Sequence, residues 1–546
     1  MNLNEDVLYF IPLGGSNEIG MNFNLYGYNN HWIIIDMGIM FAGDDYPGVD
    51  IVIPDTQFIE TIIENIQAIF ITHAHEDHIG GVPYLFEKFN CPIYLTNFAK
   101  KLLETKVKNT VCNDSLFLKK VEYLKPVKIG PFEVIYGNIT HSIPESSILS
   151  ISVANKVIVH SGDWKIDKKP LIGKKTDTKF LRNLSKKGVD VLICDSTNVF
   201  NRNLSGSEND VRKNLFKIIK SSTSKKIFVT TFASNIARLS SLIFIAVKLD
   251  INICFIGGSL NRSFDIASSC GYLEKPKNYI NSNEISSNKK TIIVCTGCQG
   301  EPRAALSRIA HDDHQVKFIR DDLLIFSSKI IPGNEKKIGS IINKITRLGV
   351  EIITEKDQLV HVSGHPGREE LEYLYDILKP KSLIPVHGEA RHIFEHANFA
   401  KIKGVKNPII INNGDLVNLS KEHIYVEDKV HSGKILIDSN TRISPDSEVI
   451  KQRIRIKENG IIFILLIIIN NKLFNIYVSS IGLLENYLEF EDELTKELEK
   501  NYKMKLIDKN NYELITRQCV NRVLKKSTKK RPKVIIKYVN ESNYKD

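Results

Sequence analysis

The chain has no apolar run long enough to cross a bilayer. Its longest, Ile461 to Ile469, holds nine residues, against the roughly 20 that a membrane-spanning helix needs. It reads instead as a buried strand. The N-terminus, MNLNEDVLYFIPLGG, has no basic segment followed by an apolar stretch, so no secretory signal is expected. Cysteine is sparse: eight in 546 residues, at 91, 112, 194, 254, 270, 295, 298 and 519. Several lie inside apolar runs, as in VLICD at 191–195. That spacing excludes a disulfide framework and suits a reducing, cytoplasmic setting. Cys295 and Cys298 form a CxxC that no second CxxC completes, so they read as small buried residues. Internal repeats are absent. Acidic residues are outnumbered, 63 to 74 Lys and Arg, which leaves a net charge of +11. Such a surplus serves solubility and also suits a polyanionic partner.

What is present is an alternation of short apolar strands and helical patterns. Trp32–Asp36, Ala68–Thr72, Pro92–Leu95, Phe132–Tyr136, Lys156–His160 and Val189–Asp195 read as strands. Glu208–Ser222, Asn235–Leu249, Glu335–Leu348 and Gly367–Leu378 read as helices. The fold class is α/β with layered sheets. At this length two to four domains are expected. Beyond about Asn440 the character changes: an acidic helix over Leu488–Lys500, a second helical stretch, then the basic run Lys525–Arg531. A separate C-terminal domain is expected there. The basic run reads as a solvated connection or as an RNA contact.

Chemistry concentrates at His73-Ala74-His75-Glu76-Asp77-His78, just past the apolar run Ala68–Ile71 and before Ile79-Gly80-Gly81. A solvated turn has no need of three imidazoles and two carboxylates. His73 and His75 are two apart, so extended backbone points both rings the same way. Asp77 and His78 fall where the chain turns into a helix and face a second ion. Gly80-Gly81 lets the backbone turn tightly. A dinuclear hydrolytic site needs about seven or eight protein ligands in all. Strand ends offer the rest: Asp36 closing WIIID, His141 in ITHSIPES, Asp163 after VIVHSG, and His387 in PVHGE.

These residues resemble the metallo-β-lactamase superfamily, with Asp36, HAHEDH, His141 and Asp163 matching its first four motifs. Three further phrases narrow the resemblance. Asp195 in CDSTN, His365 in HVSGHPGREEL and His387 in PVHGEARH look like motifs A, B and C of the β-CASP nucleases. GGSNEIGMN at 14–22, SGDWKID at 161–167, TGCQGEPRAALSRIA at 296–310 and PGNE at 332–335 resemble the bacterial ribonuclease J family. The likeness is dense over residues 8 to 440 and looser beyond.

The resemblance implies a metallo-β-lactamase αββα sandwich with an inserted β-CASP α/β domain and a small α+β C-terminal domain. The expected boundaries are 1–203 and 359–440 for the sandwich, 204–358 for the insert, 441–455 for a linker and 456–546 for the last domain. It implies two-metal hydrolysis of RNA phosphodiester bonds, 5′-to-3′ from 5′-monophosphate ends and also internally, in mRNA turnover and rRNA maturation. The metal ligands would be His73, His75 and His141 for one ion, and Asp77, His78 and His387 for the other, with Asp163 bridging. Zinc is foremost, with manganese or magnesium as alternatives. Asp77, Asp195 and His365 would be catalytic, His365 at the scissile phosphate or leaving oxygen and Asp195 behind it. Phe232, Ala233, Ser234, Asn235, His361, Ser363, Gly364 and His365 would bind substrate, the 5′-phosphate in particular. Arg238, Arg303 and Arg308 are candidate contacts to single-stranded RNA. A homodimer or homotetramer and no membrane association are expected. The alternatives are another β-CASP endonuclease or DNA nuclease, or a non-catalytic RNA-binding subunit.

Overall fold

A computed structural model describes residues 3–108, 117–286, 289–439, 441–469, 472–502 and 511–540. Cys112 lies outside them. The chain divides into two compact units. The larger takes Met1–Met40 and Ile53–Gly433, the smaller Phe41–Val52 and Lys434–Asp546.

The larger unit holds the expected α/β architecture. One eight-stranded sheet runs in the order Tyr425–Lys429, Asp415–Asn418, Tyr9–Gly14, Phe23–Tyr28, His31–Ile35, Ile66–Phe70, Ile93–Leu95, Leu118–Lys120. A seven-stranded sheet runs Pro126–Ile129, Phe132–Asn138, Ser147–Val153, Lys156–His160, Val191–Asp195, Ser382–Val386, Asn407–Pro408. Strands that read as unbroken apolar runs, such as Trp32–Ile35, sit inside, with Ile33 opposite Ala68 in a parallel pair. Phe10, Ile33, Ile35 and Phe70 of the first sheet join Val134, Leu149, Ile151, Ile193 and Ile384 of the second in one core. The far face of the second sheet is covered by the apolar stripes of helices Thr178–Lys187, Arg368–Leu378 and Ala390–Ile402.

Val191–Asp195 and Ser382–Val386 are neighbours in that sheet, with Asp195 opposite Val386. The chain between them builds a separate five-stranded, all-parallel sheet. Its order is Asn252–Ile256, Thr291–Cys295, Lys226–Thr230, Leu323–Phe326, Glu351–Ile353. This sheet has its own core around Phe228, Ile293, Leu306, Leu324 and Ile341. Cys295 and Cys298 are buried and unpaired, and burial pushes both thiols up to about 12. They are inert packing, as the sequence suggested.

The chain's exit into this inserted layer and its return are clasped by one residue. Arg238 is wholly buried. Its guanidinium donates to Glu208 Oε1 at 3.0 Å, on the outgoing segment, and to the carbonyl of Val360 at 2.8 Å, on the returning one. Arg238 therefore holds the joint between layers and has no face for RNA, which corrects its reading from sequence.

In the smaller unit, the strand order is Lys472–Ile481, Ile461–Ile469, Lys533–Asn540. Helices Tyr487–Tyr502 and Tyr512–Ser527 pack on one face through Phe490, Leu494, Leu498, Val520 and Val523. Ile461–Ile469 is a strand, but its burial alternates. Ile462, Ile464, Leu466 and Ile468 point into the core while Phe463 is 47% exposed. The run is apolar on both faces and buried on one. The stretch 441–455, expected to be a linker, carries strand Thr441–Ile443 and most of helix Glu448–Asn459, whose N-terminus Ser447 caps by accepting from the Ile450 N–H. Among the described residues no helix is long and apolar enough to cross a membrane.

Candidate metal centre

The site forms where the eight-stranded and seven-stranded sheets of the larger unit end. His73 and His75 follow strand Ile66–Phe70, and Glu76–Ile79 starts a helical turn that carries Asp77 and His78. Asp163 follows strand Lys156–His160, Asp195 ends Val191–Asp195, and His387 follows Ser382–Val386. Ends of neighbouring strands in a sandwich converge, so residues distant in sequence meet.

Two groups of donors share Asp163. His73, His75, His141 and Asp163 form one; Asp77, His78, Asp163 and His387 form the other. In the first, His75 Nδ1 lies 3.1 Å from His73 Nε2 and 3.0 Å from His141 Nε2. Asp163 Oδ2 lies 3.7 and 3.8 Å from those same Nε2 atoms. In the second, Asp163 Oδ1 is 3.2 Å from His78 Nε2, and Asp77 Oδ2 is 3.0 Å from His387 Nε2; the other ring nitrogen of His387, Nδ1, lies 3.1 Å from Asp163 Oδ1. A tetrahedral ion with bonds of about 2.0–2.1 Å sets its ligands roughly 3.3 Å apart. The donors stand at that spacing. Imidazole nitrogens facing one another at 3 Å with no carboxylate between them are what a shared cation, not a hydrogen-bond network, explains. The residues present fit a metal ion.

Electrostatics agrees. Burial, reinforced by neighbouring imidazoles, pushes His73 and His141 well below the usual histidine range, and burial brings His75 down to about 4. These rings are neutral, with lone pairs to give. Burial pushes Asp163 up, but His387, His78 and His365 outweigh it and hold the carboxyl well below the carboxylate range. Asp77 is lowered likewise against its burial, by His78 and His387. His78 and His387 are pushed down by burial, yet the carboxylates, Asp163 foremost, lift both well above the ordinary value. In a metal-loaded site the cation takes the place of those protons.

The surroundings orient the donors. Asp36, wholly buried, accepts from Thr72 N–H at 2.7 Å and Thr72 Oγ1 at 2.8 Å. Its Oδ2 takes the Nδ1–H of His78 at 2.6 Å, which turns His78 Nε2 to Asp163. Asp36 is therefore behind the metal donors, not among them. Gly364, read from sequence as a phosphate-pocket residue, does something else as well. Its carbonyl accepts from His141 Nδ1 at 2.7 Å, and a Cβ there would meet His141 Cε1 at 2.8 Å. Gly80 and Gly81 have ordinary right-handed backbone, φ −65° and −79°. Gly81 is needed for close approach: a Cβ would meet the Gly38 carbonyl at 2.8 Å.

Beside the two groups stands a third pair. His365 Nδ1 lies 2.8 Å from Asp195 Oδ2. Together with Asp163 and His387 they make a third cluster of possible ligands.

The residues of the expected phosphate pocket are not equivalent. Phe232, Ala233 and Ser234 form the partly buried turn before helix Ile236–Lys248. Asn235 caps that helix, accepting from Arg238 N–H at 2.9 Å, and is 4% exposed. Its side chain faces inward, where Nδ2 lies 3.4 Å from Glu208 Oε1. The Ser363 hydroxyl accepts from His365 N–H at 3.0 Å. His361 Nδ1 is buried with no hydrogen-bond partner among the described residues, and burial pushes the ring down to about 3. Arg303 and Arg308 are exposed, Arg308 paired with Asp313 at 3.2 Å. Sequence reasoning missed Thr72, which follows the apolar run directly, and Thr197, two residues beyond Asp195 inside CDSTN.

Four family models match along the chain in order. The metallo-beta-lactamase superfamily matches residues 22–165, and the ribonuclease J beta-CASP domain 224–345. The Zn-dependent metallo-hydrolase RNA specificity domain matches 349–411, and the ribonuclease J C-terminal domain 448–540. A ribonuclease J of Sinorhizobium meliloti is 39% identical over 441 residues, 80% of this chain and 78% of that one. The chain belongs to the ribonuclease J family. A second relative, ribonuclease J of Helicobacter pylori strain B128, is 34% identical over 557 residues, covering 98% of this chain and 80% of that protein. Among solved structures, a protein of unknown function from Enterococcus faecalis V583 superposes with a TM-score of 0.52 at 15% identity, over 75% of this chain and 100% of that one. That likeness speaks for the fold alone. As a ribonuclease J-like chain with a metallo-hydrolase fold, the protein is a hydrolytic nuclease, and the donor clusters fit its metal requirement.

Proposed function

We propose that the protein hydrolyses RNA, removing nucleotides 5′ to 3′ from 5′-monophosphate ends and also cutting internally, with two divalent ions, zinc foremost, held by His73, His75, His141, Asp77, His78, His387 and a bridging Asp163. The observation that carries this is the pair of donor groups sharing Asp163 beside the Asp195–His365 pair. The ions, when bound, supply Lewis-acid stabilisation of phosphate charge and acidify water. The chain's own groups do the rest. Asp77, lowered by His78 and His387, keeps one more negative charge in the second donor group. Asp195 holds the Nδ1–H of His365 and, with Asp163, raises the ring against its burial, so that a protonated Nε2 faces substrate, where it contacts the scissile phosphate or gives its proton to the departing 3′ oxygen. The turn at Phe232, Ala233 and Ser234, with Ser363 and the neutral ring of His361, offers backbone N–H groups and hydroxyls to a terminal phosphate. The insert is taken as 204–358, and single-stranded RNA is held between it and the sandwich. A cytoplasmic homodimer or homotetramer acting in mRNA turnover and rRNA maturation is the corresponding cellular reading.

End-labelled RNA carrying a 5′-monophosphate, 5′-triphosphate or 5′-hydroxyl tests this. Processive release of mononucleotides, fastest from the 5′-monophosphate, is expected in zinc, manganese or magnesium. Cleavage of DNA only, or internal cuts only, overturns the exonuclease reading.

A further inference from the structure

We propose that Thr197 is a positioning residue for the nuclease reaction, whose hydroxyl orients the ring of His387 through Nδ1. The inference rests on the metal-site reading above. His387 sits in left-handed backbone, φ +53°, a region that costs a non-glycine residue free energy unless neighbours hold it. The Gly15 carbonyl does so, accepting from the His387 N–H at 2.6 Å, and Thr197 Oγ1 stands 3.0 Å from the His387 carbonyl. The same oxygen lies 3.0 Å from His387 Nδ1 and 2.7 Å from Asp195 Oδ1.

A hydroxyl has one proton and two lone pairs. Asp195 Oδ1 is the nearest acceptor for that proton, so Oγ1 receives Nδ1–H from His387. Asp163 Oδ1, 3.1 Å from the same nitrogen, favours the proton there as well. Nε2 is left bare, 3.0 Å from Asp77 Oδ2 inside the donor group. Thr197 thus joins the carboxylate that steers His365 to the last histidine of the metal set. Its own turn is braced. The Thr197 N–H donates to Asp195 Oδ1 at 2.9 Å, and Ser196 Oγ meets His396 Nδ1 at 2.8 Å. His396 Nε2 in turn meets the Tyr375 hydroxyl at 2.5 Å, all of it buried.

The test compares Thr197→Val, which keeps the shape and removes the hydroxyl, with Thr197→Ser, which keeps the hydroxyl. Zn2+ retention against a chromogenic chelator is titrated on the full-length chain, and kcat and KM are measured on 5′-monophosphorylated RNA. Thermal unfolding of each metal-free chain serves as the folding control. Thr197→Val is expected to weaken Zn2+ retention and kcat by about 10- to 100-fold, the usual range for groups that orient a metal ligand, with KM unchanged. Thr197→Ser is expected to stay within about threefold of wild type by the same principle. Valine equal to wild type in both readouts overturns the role of Thr197 alone. Serine as damaged as valine overturns it too, since the hydroxyl would then not be what matters. A wild-type chain that retains no Zn2+ at all overturns the underlying site reading instead.

Discussion

His75 stands between His73 and His141, each within about a hydrogen-bond length of its Nδ1. Removing its ring leaves the first donor group with three members. His75→Ala is expected to lower RNA cleavage at least about a thousandfold, a loss of the size that one electrostatic stabiliser supplies, and to drop bound metal by one equivalent per chain in elemental analysis. His361 tests a different property. The groups facing it are Arg238, Glu208, Lys165 and Lys329. Burial first, then Arg238, pushes its folded value down to about 3 from the ordinary 6.5. The folded-state value is depressed below that of the unfolded chain, so the unfolded state takes up the proton first. The stabilisation is complete above pH 6.5 and is lost progressively as pH falls toward 3, by about 1.4 kcal/mol per pH unit. Unfolding midpoints measured from pH 7 to 5 should fall more steeply for wild type than for His361→Asn. The donor clusters were legible in the sequence because histidine and aspartate at strand ends have few other reasons to gather. Arg238 was misread because sequence shows its chemistry but not its direction: it is a clasp.

At the scale of elements, the return segment after the insert does two jobs. Its Gly364 holds His141 while its His365 faces Asp195. A methyl at 364 must displace the His141 ring, since contacts of 2.8 Å are below any normal carbon approach. Gly364→Ala is expected to cost about tenfold or more in kcat, the scale of an orienting group, with little change in unfolding midpoint. A kcat equal to wild type would show that the ring has room to move. Strands and helices were legible almost to the residue where burial is one-sided or complete. Lys156–His160 falls where expected, and Glu208–Ser221 ends one residue early. The stretch 441–455 was not, because a basic, polar helix such as Glu448–Asn459, with Ile450 as its buried residue, shows little apolar periodicity to read. Ile461–Ile469 hid its alternation behind nine apolar residues in a row, so only the fold reveals which face is covered.

For the whole molecule, the charge surplus of +11 sets an expectation about ionic strength. Contacts between cationic side chains and phosphates release counterions, so KM for RNA should rise with salt while kcat stays level. A log–log plot of KM against salt concentration with zero slope would assign substrate capture to stacking and hydrogen bonds instead. The order of layers was readable from motifs, since most of them follow the end of a strand. The division that places Phe41–Val52 with Lys434–Asp546 was not, because nothing in those twelve residues announces which distant segment they join.

Arg238 reaches Glu208 on the way out and Val360 on the way back with a single guanidinium. Some 150 residues therefore enter and leave the host sheet through one doorway, and Val191–Asp195 and Ser382–Val386 stay side by side as though nothing lay between them. A layer hung on so narrow a frame can be lengthened, shortened or exchanged over evolutionary time without disturbing the wall that carries it.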